Sequence, residues 1–424
     1  MRCETLALSR DGDSAALAAE LRALVPSPES VSAEVAAIIA DVRERGDDAL
    51  RAYTRRFDTG DAEPPPLIVT AAELDRAADE LDKDVRAGLE RAIENVGLVA
   101  AAGLRDDQAV VFDDGHEITL REAPVNRAGI YVPGGRAPYP STVVMGVVTA
   151  RVAGVTRVAV CAPPGRDKDL DPVVLGACRL AGASTVYRMG GAQAVAALAH
   201  GTREVQAVDV IAGPGNLYVQ EAKRQVSTGV GIDGFAGPSD LFVIADPDAD
   251  AELVALDLLA QAEHGPGTLV VAASHSPELL RAVAAKLTAG LDTGAVARLV
   301  KTADAEQGLD LAQAFAPEHL ELVGTDAEAL APGATHAGCV FVGASAGTAF
   351  GDYIAGSNHI LPTDGVARFA SALSTTHFRR RFSEVRIGRG ATALARAAAP
   401  VARAEGFEAH ARSMEARIRE NGAR

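Results

Sequence analysis

The chain has 424 residues, 48% hydrophobic and 23% charged, with a formal net charge of −16; this is a globular composition on a chain too long for one ordinary core. The acidic balance argues against a nucleic-acid or anionic-membrane partner, since both need clustered Lys and Arg, and no apolar run reaches the ~18 residues of a membrane span. Cys3, Cys161, Cys178 and Cys339 form no C-x-x-C pair, and Met1-Arg2-Cys3-Glu4 starts no apolar leader, so reduced thiols in a cytoplasmic protein are expected, with neither cysteine nucleophile nor structural zinc.

In chain order, residues 1–105 read as helical. Val35, Ile38, Ile39, Val42, Leu50 and Tyr53 mark one partly amphipathic stretch, and Leu74, Ala78, Leu81, Val85, Leu89 and Ile93 another, split by the Pro64-Pro65-Pro66 loop. Val110–Glu122 alternates about Asp114-Gly115, a hairpin signal. From Gly129 a strand, a glycine turn and a helix recur. Strands are expected over Gly129–Val132, Val158–Ala162, Thr185–Met189 and Ala207–Ala212, with helices Ser141–Val152, Leu170–Ala181, Ala192–Ala199 and Leu217–Val226 between and after them. A second series runs through Leu241–Ala245, a helix over 250–263, Thr268–Ala273, a helix over 277–289, Leu320–Val323 and Cys339–Val342. That order implies an α/β protein with two incomplete Rossmann-like parallel-sheet lobes. The division expected is 1–125, 126–237, 238–372 and 373–424, the last an Arg- and Ala-rich helical tail with a poor core of its own. Such a tail packs on its own chain or crosses a homodimer.

Three glycine turns, Pro133-Gly134-Gly135-Arg136, Gly190-Gly191-Ala192-Gln193 and Gly213-Pro214-Gly215-Asn216, each follow a strand and precede a helix, where phosphates gather in α/β sheets. None is G-x-G-x-x-G, so ordinary turn chemistry and a nucleotide site both remain open. In Ala316-Pro317-Glu318-His319-Leu320, the proline restricts the turn and the adjacent Glu and His can share proton-transfer work, although such pairs are usually surface residues. Gln261-Ala262-Glu263-His264 ends a helix at glycine, with Asp352, His359 and His410 further on. His, Asp and an amide oxygen can hold zinc, but Gln-x-x-His is no standard zinc spacing, and capping or core roles stand beside a metal role.

Taken together, these motifs resemble the histidinol dehydrogenase family over nearly the whole chain. The resemblance also covers Ile130-Tyr131-Val132, Tyr218-Val219, Ala236-Gly237-Pro238-Ser239, Gly351-Asp352-Tyr353, Asn358–Thr363 and Glu405-Gly406-Phe407. It implies a zinc-dependent oxidation of L-histidinol to L-histidine with two NAD, the last step of histidine biosynthesis, in an intertwined homodimer. Residue by residue it implies zinc on Gln261, His264, Asp352 and His410, and Glu318 and His319 as acid/base pair. Ser239, His359 and Glu405 would contact substrate together with His319 and the zinc ligands. Tyr131, Gln193 and Asn216 would line the NAD site, and the tail would carry Glu405 and His410 to the partner. A neutral His319 would take the alcohol proton, and Glu318 would activate water for the aldehyde. The chain departs from the expected pattern at Val210, where Lys is expected, at Asp240, where Glu is, and over 231–235. Those departures leave open a relative that oxidises another small amino or sulfonated alcohol. A non-catalytic metabolite-binding protein is a third reading, opposed by the retention of both Glu318 and His319.

Overall fold

The computed structural model describes residues 1, 3–25, 28–134, 137–165, 169–234 and 238–418. Its strands, in chain order, are β1 (Cys3–Ala7), β2 (Gln108–Val111), β3 (Glu117–Pro124), β4 (Arg127–Tyr131), β5 (Arg157–Ala162), β6 (Thr185–Arg188), β7 (Val210–Ala212), β8 (Gly231–Ile232), β9 (Asp240–Ala245), β10 (Leu269–Ser274), β11 (Val296–Lys301), β12 (His319–Val323), β13 (Cys339–Val342) and β14 (Arg379–Arg386). The chain divides into two compact units: Met1–Gly103 with Val125–Phe378, and Leu104–Pro124 with the chain from Arg379 on.

The larger unit is the α/β part. One sheet has the order β6-β5-β4-β7-β8, all parallel, and the other β1-β11-β10-β9-β12-β13, also all parallel. Parallel strands are covered on both faces and so read as continuous apolar runs. Every residue of β9, β10 and β12 is buried. The helix Pro140–Val152 has no polar face, and Thr142 through Ala150 are buried in it; a helix apolar all round lies inside a core. Both strand series expected from the sequence form, within a few residues of the expected bounds.

Four of these elements were not legible. The N-terminal segment is not wholly helical: β1 pairs with β11 at the sheet edge, Cys3 opposite Ala297 and Ala7 opposite Lys301. Strand β11 and the helix Ala305–Phe315 add a further crossover between β10 and β12. The tail begins with a strand rather than a helix.

That strand, β14, belongs to the smaller unit, where it pairs antiparallel with β3, and β3 with β2 in the hairpin expected about Asp114-Gly115. The helices Ala391–Ala404 and Glu408–Glu415 follow, tied by Arg403 to the carboxylates of Glu408 and Glu415. Among the described residues of this unit the buried apolar side chains are Ala395, Ala399 and Ala411, a thin core for a unit of this size.

Candidate active site

Two edges of the larger unit carry most of the residues singled out above. The loops after β4, β5, β6 and β7 lie at the C-terminal edge of the first sheet. Asp240 and His319 open β9 and β12 at the N-terminal edge of the second.

At the first edge, Tyr131, Gln193 and Asn216 line one cavity of about 860 Å³, together with Pro163, Gly191 and Tyr218. This is within the range of small-molecule and cofactor sites. Tyr131 is buried and its hydroxyl accepts the Gly191 N–H at 3.0 Å; burial pushes its phenol far above the ordinary range. Asn216 starts the helix Leu217–Val226 and accepts the Val219 N–H on its side-chain oxygen at 3.2 Å, which satisfies a free helix N–H and aims the helix start at the cavity. Gly213 has φ +124, and a Cβ there would collide with the Tyr131 carbonyl, so only glycine fits. Its peptide is clamped from both sides: Asp233 accepts the Gly213 N–H at 2.7 Å, and the buried Lys223 donates to the Gly213 carbonyl at 3.0 Å while pairing with Asp233. The unusual stretch 231–235 thus supplies the partner of a buried lysine. Gly135, Arg136, Phe235, Ala236 and Gly237 lie outside the described residues.

At the second edge, Glu318 and His319 are 6% and 3% exposed, which removes the surface reading of the pair. Glu318 and Asp240 hold each other reciprocally. The Glu318 N–H donates to Asp240 Oδ1 at 2.7 Å, and the Asp240 N–H to Glu318 Oε2 at 3.0 Å. His319 Nδ1 lies 3.4 Å from the Asp240 carbonyl oxygen and 3.8 Å from Glu318 Oε2, and Nε2 lies 3.5 Å from Asp352 Oδ1. Burial pushes the Glu318 carboxyl up to about 7, against the opposing pull of His319. Burial alone would depress His319, but the carboxylates of Glu318 and Asp352 overcome it and lift the imidazole to about 9. The two carboxylates thus draw the imidazole toward its protonated form, whereas the neutral His319 expected from the sequence is the form that could take a proton.

Ser239, Glu318 and His359 line a second, smaller cavity of about 80 Å³, whose wall includes Gly213–Gly215 and Leu361–Thr363. His359 Nδ1 donates to the Asp352 carbonyl at 2.8 Å, and Nε2 lies 3.1 Å from the Thr142 hydroxyl. Burial holds this ring below its ordinary pKa, so Nε2 accepts from Thr142. Thr142 went unnoticed in the sequence because it sits in an otherwise apolar helix.

Gln261 ends the helix Ala251–Ala262, which packs against Thr348–Tyr353 and so brings Asp352 near. Gln261 is 2% exposed, and both its amide atoms are buried without a hydrogen-bond partner among the described residues. An orphaned buried amide is costly and calls for a ligand. His264 falls just past the helix end, its Nδ1 3.0 Å from the Gln261 carbonyl. Among the described residues no three His, Cys, Asp or Glu side chains converge as a metal cluster. Within this unit the expected ligands are an amide, a His and a carboxylate; His410 and Glu405 belong to the smaller unit, both exposed.

The family model described as Histidinol dehydrogenase matches residues 25–418. The chain is 43% identical over 374 residues to histidinol dehydrogenase of Parasynechococcus marenigrum, covering 86% of this chain and 85% of that one. It is 44% identical over 365 residues to that of Natronomonas pharaonis, covering 83% and 85%. The solved structure of histidinol dehydrogenase from Elizabethkingia anophelis superposes with a TM-score of 0.89 at 29% identity, covering 98% of this chain and 97% of that one.

Proposed function

The chain belongs to the histidinol dehydrogenase family, and from that premise we propose that it oxidises L-histidinol to L-histidine with two NAD, the final step of histidine biosynthesis. The observation that carries this reading is the buried Glu318–His319 pair, with Asp352 on the far side of the imidazole. The first step removes a hydride from the alcohol carbon to NAD and a proton from the hydroxyl, giving the aldehyde. The second adds water to the aldehyde and removes a second hydride, giving the carboxylate.

In this scheme the neutral form of His319 takes the hydroxyl proton, and the two flanking carboxylates, which favour protonation, stabilise the imidazolium so formed. Glu318, titrating near neutrality, draws the proton from the adding water. The walls around Ser239 and His359 exclude bulk water and retain the aldehyde between steps. Tyr131, Gln193 and Asn216 would seat the cofactor in the larger cavity.

The partnerless Gln261 amide would suit a divalent ion, with His264, Asp352 and His410 as its further ligands. Zinc held there would contribute Lewis-acid templating of the substrate nitrogens. Glu405 and His410 would come from the partner of a homodimer, in keeping with the thin core of the unit that carries them. No helix among the described residues is long and apolar enough to cross a membrane, and a cytoplasmic location fits the biosynthetic role.

The test is purified protein with L-histidinol and excess NAD, counting NADH formed per histidinol consumed. Two NADH with histidine as product is expected. Engagement of both His359 nitrogens is the observation that favours a different small alcohol; no NADH from histidinol in a zinc-loaded protein, with turnover on an amino or sulfonated alcohol, would decide for that reading.

A further inference from the structure

We infer that Arg22, in the N-terminal helix Ser14–Arg22, is a positioning residue for Glu318, acting through Asp240 and the turn that leads into β12. The inference rests on the reading of Glu318 as the group that activates water.

The guanidinium makes a complete fork. Nη1 pairs with Asp240 Oδ2 at 2.5 Å, Nε donates to the Phe315 carbonyl at 3.2 Å, and Nη2 to the carbonyls of Phe315 and Ala316 at 2.8 and 3.0 Å. Its plane lies over the Phe315 ring, 3.5 Å from the centroid. Planar delocalised charge suits such a site, and an ammonium could not make the same set of contacts.

What the fork grips matters more than its strength. Ala316 is left-handed, with φ +52, at the end of the helix Ala305–Phe315. A non-glycine residue holds that conformation only where its surroundings over-determine it, and such residues gather at functional sites. Two residues later the chain reaches Glu318. The same Arg22 that binds the carbonyls before this turn also binds Asp240, whose other oxygen accepts the Glu318 N–H. The Asp240 N–H then donates to the Glu318 carboxylate itself. One guanidinium thus secures both the approach to Glu318 and the residue that orients its side chain. Asp240 is 1% exposed, so without Arg22 its charge would be buried and unpaired. Asp240 divides its two oxygens between Arg22 and the Glu318 N–H.

The test compares full-length wild type, Arg22→Ala, Arg22→Lys, Glu318→Gln and the double variant Arg22→Ala/Glu318→Gln, each with zinc content and thermal midpoint measured. In Arg22→Ala, kcat is expected to fall about 10-fold or more, with KM for histidinol and zinc content within about 2-fold of wild type. NADH per histidinol should drop below two as aldehyde escapes, because the second step depends on a well-placed Glu318. On the Glu318→Gln background the same substitution should have little further effect, since both act through one group. If Arg22→Ala does not fold, Arg22→Lys carries the test with the same pattern in smaller measure. Wild-type kcat and stoichiometry in Arg22→Lys or Arg22→Ala overturns the inference, as does full additivity with Glu318→Gln. If wild type itself forms no NADH, or Glu318→Gln is fully active, the reading of Glu318 fails instead.

Discussion

His319 stands between Glu318 and Asp352, and removing its basic nitrogen while keeping its bulk isolates that arrangement. For His319→Gln, kcat is expected to fall by ~10²-fold or more with zinc content unchanged, measured by steady-state NADH formation and metal analysis; a near-normal rate would demote the imidazole to a structural part. Glu318 and His319 were legible because an acidic residue and a histidine follow a proline in a short motif. Their burial was not legible, since it depends on β9 and β13 on either side of β12. Arg22 was still less legible: it is 218 residues from Asp240, and nothing in the local spacing of an alanine-rich helix marks one arginine as different from its neighbours.

At the scale of the element, β12 carries more acid than its motif suggests. The alternation Leu320-Glu321-Leu322 reads as one face inward and one outward, but all five residues of β12 are buried, so Glu321 points into protein. Its Oε2 has no hydrogen-bond partner among the described residues. Burial first, and the neighbouring Asp257 second, push Glu321 up to about 9. A carboxyl whose folded pKa exceeds its unfolded value keeps a proton that the unfolded chain releases. Stability is therefore lost as pH rises from the ordinary glutamate value of about 4.3 towards about 9. Relative to Glu321→Gln, the wild type should lose at most about 1.4 kcal/mol per pH unit in that window. Thermal unfolding of both proteins at pH 5 and pH 8 checks this: the midpoints should converge at pH 5, with the variant higher at pH 8. The strand–loop–helix recurrences were legible because Val- and Ala-rich runs bounded by glycine leave few alternatives. Strands β1 and β14 were not, because both are edge strands with mostly polar or half-exposed residues.

At the scale of the molecule, Glu405 and His410 lie in a unit with little core of its own. Truncation before Glu405 should abolish activity. Co-expression of the truncated chain with full-length His319→Gln should restore part of it, because the intact tail of one chain would complete the intact Glu-His pair of the other. Failure of this complementation, with both chains folded and associated, would place those residues in their own chain's site. The residues from Gly213 to Asn216 bear on how the proposed two rounds would share one site. Gly213 to Gly215 face the small cavity and Asn216 the large one, with the Gly213 peptide clamped between Asp233 and Lys223. The stretch borders both cavities, so a cofactor in the larger and a substrate in the smaller would meet across these few residues, as the proposed hydride transfer would require.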